Sequence, residues 1–157
     1  MRAGILPRPM LRIGLVSDTH NLLRPEVLDF LRGSDHILHA GDICGPEVLA
    51  ALAQLAPTTA VRGNNDRGAW AERLDERVTL HFAGVAVHVV HDLAELMPGE
   101  PADVVVSGHS HRPKVEQRGA VLHVNPGSAG PRRFRLPISA GELRIVDGRV
   151  TAHLRQF

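Results

Sequence analysis

The sequence predicts an α/β fold of two packed β-sheets with helices on the outside. Three observations predict it. The first half alternates short apolar runs with helix-like stretches, which is the signature of parallel βαβ units. The second half is a series of short strands separated by tight-turn signals, as in antiparallel sheets. The length, 157 residues, is that of one domain able to bury a sizeable core without staples.

Taken in order, Met1 to Pro9 hold two prolines and a glycine and read as a loose tail. Residues 10–157 read as a single domain. Leu11 to Val16 is a short apolar run bounded by Ser17-Asp18, a buried strand. Pro25 to Leu31 is a short helix, with Pro in its first turn and Gly33 past its end. His36 to His39 is the second strand and Pro46 to Leu55 the clearest helix, followed by Pro57. Thr58 to Val61 is the third strand.

Beyond it, Val78 to Phe82 and Val85 to Val90 flank a hairpin signal, Ala83-Gly84. Val104 to Ser107, Lys114 to Gln117 and Val121 to Val124 are further strands, with a turn at Arg118-Gly119. Ile138 to Val146 and Arg149 to Leu154 flank Asp147-Gly148, the strongest short hairpin signal in the chain. A mostly antiparallel second half is expected to pack on a parallel first half.

Composition excludes several classes. A single cysteine, Cys44, excludes a disulfide framework and a cysteine-based zinc site, and fits a reducing compartment such as the cytoplasm. No stretch approaches the roughly 18 apolar residues of a membrane span. Eighteen basic against seventeen acidic side chains leave a net charge of +1. With no Tyr, one Trp and four Phe, there is no dedicated nucleic-acid surface. The outlier is histidine, ten in 157 residues, and histidine is the commonest metal ligand and acid–base group.

The residues that follow strand ends carry the chemistry. Asp18 and His20 follow the first strand and Asp42 the second. Asn64 and Asp66 follow the third, His91 and Asp92 the strand ending at Val90, and His109 and His111 the strand ending at Ser107. Ligands bind at the carboxyl edge of open α/β sheets. One Gly-Asp after a strand is usually only a turn, and a lone strand-end histidine is usually structural. Five successive strand ends delivering Asp, Asn or His make a metal site. Gly41, Gly63 and Gly108 are expected to turn the backbone sharply beside it.

These motifs, Asp18-Thr-His20, Gly41-Asp42, Gly63-Asn64-Asn65-Asp66, His91 and Gly108-His109-Ser-His111, resemble the ordered motifs of the calcineurin-like metallophosphoesterases. Val61-Arg62-Gly63-Asn64, Asn125-Pro126-Gly127-Ser128 and Pro131-Arg132 are similar to those of the small YfcE-type phosphodiesterases, a branch that also contains the retromer scaffold subunit. The resemblance runs from Leu11 to the C-terminus. It implies a four-layer αββα sandwich of two mixed β-sheets flanked by helices.

It also implies two divalent metal ions: Asp18, His20 and His111 on the first, Asn64, His91 and His109 on the second, and Asp42 bridging. A metal-bridging hydroxide would attack a small phosphate ester. Against two divalent ions, two carboxylates and a hydroxide leave the centre net positive, which suits an anionic substrate. Oxygen and imidazole donors favour Mn, Fe, Zn, Ni or Co over Ca, and the resemblance favours Mn. Small relatives are often homo-oligomers, with apolar hairpin strands to supply the interface.

One departure matters. Many larger members carry His after the third-motif Asn, where this chain has Asn65. Asn65 and Asp66 are the candidates for a catalytic part beyond the metals, Asn65 as a hydrogen-bond donor to a phosphoryl oxygen and Asp66 as an orienter of its loop. Asn65 cannot protonate a leaving alkoxide, so good leaving groups are favoured. Cys44 reads as structural, His39 as a core histidine or a support for the site, and Arg67 and Arg132 as surface arginines. His88 and His153 are expected to face solvent or a partner. The alternative to an enzyme is a catalytically idle scaffold of the same fold, which would have no reason to keep all seven ligands.

Overall fold

In a computed structural model of the chain, residues 9–97, 99 and 101–157 are described. The expected tail lies outside them, apart from Pro9. The first half runs β1 (Leu11–Val16), α1 (Pro25–Leu31), β2 (His36–His39), α2 (Pro46–Ala53), β3 (Thr58–Ala60) and α3 (Ala69–Glu72). Then follow β4 (Arg77–Phe82), β5 (Val85–Val90), β6 (Val104–Val106), β7 (Lys114–Arg118), β8 (Val121–Asn125), β9 (Ser139–Val146) and β10 (Arg149–Gln156). The expected strands stand within a residue or two of their sequence bounds. The short helix α3 was not expected, because one turn is too brief to show a helical period. Its Trp70 packs on the cluster under α1 and α2.

The strands form two mixed five-stranded sheets, in the orders β10-β9-β1-β2-β3 and β4-β5-β6-β8-β7. Two expectations about pairing are corrected. The C-terminal hairpin leaves the second half and joins the first sheet, where β9 runs antiparallel to β1. The middle of the second sheet is parallel, β5 to β6 and β6 to β8. Turn signals reveal hairpins, whose strands must be antiparallel, but not which hairpin lies beside which strand. The hairpin turns themselves are as read, with positive φ at Ala83 and Gly84 and at Asp147 and Gly148, the twisted geometry that matches the flanking strands.

Strand alternation builds two cores. Ile13 and Leu15 of β1 face the second sheet, meeting Val87, Val89, Val104, Val106 and Val124. Val16 and Ile37 face outward under α1 and α2, against Val27, Leu31, Val48 and Leu52. Burying each such side chain stabilises the fold by roughly 1.5–3 kcal/mol. The helical covering is one-sided. Over the outer face of the second sheet, the described residues carry only the 3₁₀ turn Leu93–Glu95, whose Leu93 lines a cleft with Ser107 and His123.

Because β1, β2 and β3 are mutually parallel, as are β5 and β6, their carboxyl ends deliver their loops to one edge of the sandwich. His88, expected at the surface, is instead buried under the outer face of the second sheet and hydrogen-bonded to Thr79 Oγ1 at 2.8 Å. His153 is exposed, as expected on an edge strand.

Candidate metal centre

The loops after β1 and β2 extend the sheet ladder past the strands. Asp18 N–H donates to Gly41 C=O at 3.0 Å, His20 N–H to Asp42 C=O at 3.0 Å and Asn21 N–H to Ile43 C=O at 2.8 Å. This zipper holds the first and second motifs side by side. Asp18, His20, Asp42, His109 and His111 all have positive φ. A non-glycine residue in that region costs roughly 1–2 kcal/mol. Such strain collects at functional sites, where the surrounding structure must impose it.

The side chains converge. His111 Nε2 lies 3.3 Å from Asp18 Oδ1, and His20 Nε2 lies 4.0 Å from Asp18 Oδ1 and 3.7 Å from Asp42 Oδ2. On the other side of Asp42, His91 Nε2 is 3.4 Å from Oδ2. Asn64 Oδ1 stands 2.9 Å from His91 Nε2 and 3.3 Å from His109 Nδ1. Asp18, His20 and His111 could hold one cation, and Asp18, Asp42 and His91 also offer ligand atoms within 4.8 Å of one another. The seven strand-end residues therefore meet at one place, with Asp42 between the two groups.

The donor set fits metal ions. Asp18 Oδ1, His20 Nε2 and His111 Nδ1 are buried with no hydrogen-bond partner among the described residues. Such orphans are rare and call for an ion or water. His91 donates from Nδ1 to Ala40 C=O at 2.7 Å, which fixes the ring with Nε2 facing Asp42 Oδ2 and Asn64 Oδ1, the orientation in which a histidine would hold a metal. Burial alone would raise the Asp42 carboxyl, but hydrogen bonds from His91 and Asn65 outweigh it and hold the group well below the usual carboxylate range. Burial alone would lower His91, but the Asp42 carboxylate overrides it and raises the imidazole. Asn64, Asn65 and His109 form the exposed side, where a substrate would approach.

Asn65 and Asp66 occupy different places from those their neighbourhood in sequence suggests. Asn65 donates to both Asp42 oxygens, from its main chain at 2.9 Å and from Nδ2 at 2.8 Å. Its amide is committed to that carboxylate. Asp66 is buried behind the loops. It accepts from the main-chain N–H groups of Asp42 at 3.0 Å, Ile43 at 2.8 Å, Cys44 at 2.8 Å and Gly63 at 2.7 Å. Both its oxygens are taken, so it clamps the second motif to the third and does not face the centre.

Of the three glycines expected to turn the chain, only Gly41 has positive φ. At Gly63 the need is space, since a Cβ there would stand 2.2 Å from Asp42 N.

Other supports were visible only in part. Ser17 donates to Asp18 Oδ2 at 2.7 Å, and Asp92 Oδ2 lies 3.8 Å from His109 Nε2. Asn125 donates to Gly108 C=O at 3.0 Å and Ser128 to Asp18 C=O at 3.1 Å. The Asn-Pro-Gly-Ser motif thus ties the fifth motif to the first, and that motif was its only sequence signal. Burial, with Asp66 and Asp42 nearby, pushes the Cys44 thiol up to about 11, so it stays protonated and is no nucleophile.

His39 is wholly buried and fully bonded: its Nδ1 accepts from Gly41 N–H at 3.1 Å and its Nε2 donates to Thr19 Oγ1 at 3.0 Å. Burial lowers its pKa to about 4. The unfolded chain gains this proton below its ordinary value while the folded chain refuses it, so stability falls as pH drops through that window. The expected loss is roughly 2 kcal/mol by pH 5. Urea midpoints at pH 7 and pH 5 should differ by less in His39→Gln than in the wild type.

Comparison with known proteins agrees with this geometry. The profile of the calcineurin-like phosphoesterase superfamily domain matches residues 11–148. A probable metallophosphoesterase of Methanothermobacter thermautotrophicus is 35% identical over 159 aligned residues, covering 90% of each chain. Among solved structures, the phosphoesterase YfcE of E. coli superposes with a TM-score of 0.69 at 25% identity, over 91% of this chain and 98% of its own. Vacuolar protein sorting 29 of Cryptosporidium parvum shares the fold, with a TM-score of 0.75 at 18% identity over 94% of this chain and 98% of its own. The profile spans every strand-end loop described above, and the archaeal relative aligns along nearly its whole length, so this chain belongs to the calcineurin-like phosphoesterase superfamily.

Proposed function

We propose that the protein is a metal-dependent phosphodiesterase with two divalent ions. Asp18, His20, Asp42 and His111 hold the first, and Asp42, Asn64, His91 and His109 the second. The observation that supports this best is that Asp18, His20 and His111, which offer ligand atoms within 4.8 Å of one another, each keep a buried polar atom without a partner among the described residues. Bound there, two divalent ions supply Lewis-acid clamping of phosphoryl oxygens and an activated water as nucleophile.

The chain's own residues do the rest. Asp42 carries negative charge between the two groups of ligands. Asn65 holds both its oxygens in place, and Ala40 C=O fixes the His91 ring. None of Asn65, Asp66 or Cys44 is placed to protonate a leaving alkoxide, so activated aryl esters are the preferred substrates. The metal we assign is Mn, on family resemblance.

The test is hydrolysis of bis(p-nitrophenyl) phosphate by chelator-stripped protein with Mn, Zn, Fe, Ni or Co added back and metal content measured. Turnover restored by Mn is expected. Absence of both metal uptake and turnover would overturn the reading and favour a scaffold of the same fold.

A further inference from the structure

The segment from Pro131 to Leu136 belongs to no strand or helix, yet it is anchored beside the first motif. A Cβ on Gly130 would stand 2.1 Å from Thr19 C=O, so the main chain here lies directly on the loop that carries Asp18 and His20. Arg24 Nε holds Gly130 C=O at 3.1 Å, and Ser128 Oγ reaches Asp18 C=O at 3.1 Å. Leu136 N–H donates to Arg133 C=O at 3.1 Å, which folds the segment back on itself. From Gly130 the chain reaches Phe134 within about 14 Å, the scale of a small organic substrate.

What this segment presents is unusual for the molecule. Phe134 is 93% exposed, while every other exposed large hydrophobic of the described residues is at or below 48%. Its φ is positive, at 55°, a strained conformation for an aromatic residue. Around it, Arg132, Arg133 and Arg135 make no ion pair among the described residues. Elsewhere on the surface Arg32, Arg62, Arg118 and Arg144 are each paired with an acid. A bare ring among unpaired cations suits a ligand that is planar and multiply anionic. One ring suits one base, not a strand of them, which agrees with the near-neutral net charge.

We propose that the segment from Pro131 to Leu136 is the substrate wall of the centre, with Phe134 stacking on a planar base and Arg133 meeting a second negative charge, so that the substrate class is a nucleotide-sized phosphoester. This rests on the phosphodiesterase reading and deepens it.

Titration calorimetry of the Mn-loaded protein with adenosine monophosphate and with ribose 5-phosphate, which lacks only the base, tests the wall by binding. Wild-type protein should bind the first about fivefold to tenfold more tightly. Phe134→Ala should remove that preference and leave ribose 5-phosphate binding unchanged. The exposed position makes unfolding no explanation for the loss. Arg133→Gln should weaken adenosine diphosphate more than the monophosphate.

A second arm compares thymidine 5′-(p-nitrophenyl phosphate) with methyl p-nitrophenyl phosphate. Phe134→Ala should lower kcat/KM for the first alone, by the same factor. Hydrolysis of both esters with no selective effect of Phe134→Ala would overturn the wall and leave the phosphodiesterase standing. Hydrolysis of neither would overturn the phosphodiesterase, and the nucleotide binding preference would then decide the wall by itself. Equal affinity of wild-type protein for the two monophosphates overturns it.

Discussion

Asp42→Asn will hold at most one metal ion per chain and lose at least about 10³-fold in kcat/KM. The substitution keeps the size of the side chain and removes the one charge that lies between the two groups of ligands. The clamping that a second ion contributes is worth several kcal/mol, and each 1.4 kcal/mol is tenfold in rate. Asn65 adds to the loss. It donates to both oxygens of Asp42, and an asparagine amide at position 42 would set a donor against a donor. Metal analysis after dialysis, with kcat/KM on an activated diester, reads both effects. Two ions per chain and near wild-type turnover in the variant would remove Asp42 from the bridging position.

The same variant should also cost some stability without metal. The Asp42 carboxylate is held ionised by hydrogen bonds from His91 and Asn65, and a carboxyl lowered in this way stabilises the fold at neutral pH. Metal-free Asp42→Asn should therefore be less stable than metal-free wild type, and added metal should stabilise it less.

Asp66→Ala should lose about 3–5 kcal/mol of stability whether or not metal is present. Four main-chain N–H groups end on this carboxylate. Each buried donor left unpaired costs about 1–3 kcal/mol, less whatever water entering the gap restores. Asp66→Asn keeps one acceptor oxygen and turns an NH₂ toward the remaining donors, so it should fall between. Urea unfolding with and without chelator separates the two positions. A change at Asp66 confined to the metal-loaded protein would mean that it acts at the centre and not as the clamp of two loops. Against a total of 5–15 kcal/mol for a domain of this kind, the expected loss is large enough to see directly.

Much of this site was legible because its candidate ligands are strand-end residues. A parallel strand announces itself as an apolar run, and the residue after the run is forced to the sheet's carboxyl edge whatever the rest of the chain does. Asp18, Asp42, Asn64, His91 and His109 could each be placed that way, and so could the hairpins at Ala83-Gly84 and Asp147-Gly148, whose turns are set by local backbone preference. The partners of Asp66 could not. The sequence reads it as an orienter of its own loop, but what it holds are also main-chain amides of a loop 22 to 24 residues away. No residue type marks a main-chain donor. The same holds for Ala40, whose carbonyl sets the His91 ring and whose side chain says nothing of it. His88 was misjudged for a related reason: strand alternation tells which face it is on, not what covers that face.

The sequence by itself determined the strands and the two longer helices, the edge to which the strand-end loops go and the kinds of donor they bring, because strand periodicity, turn chemistry and residue type are local properties. Only the tertiary structure decided that β9 and β10 join the first sheet, that five of the candidate ligand positions are held at positive φ, and that one carboxylate clamps while its neighbours face the centre. Those depend on which segments lie side by side, and side-by-side packing is settled by the sum of many weak contacts across the whole fold rather than by any stretch of chain alone.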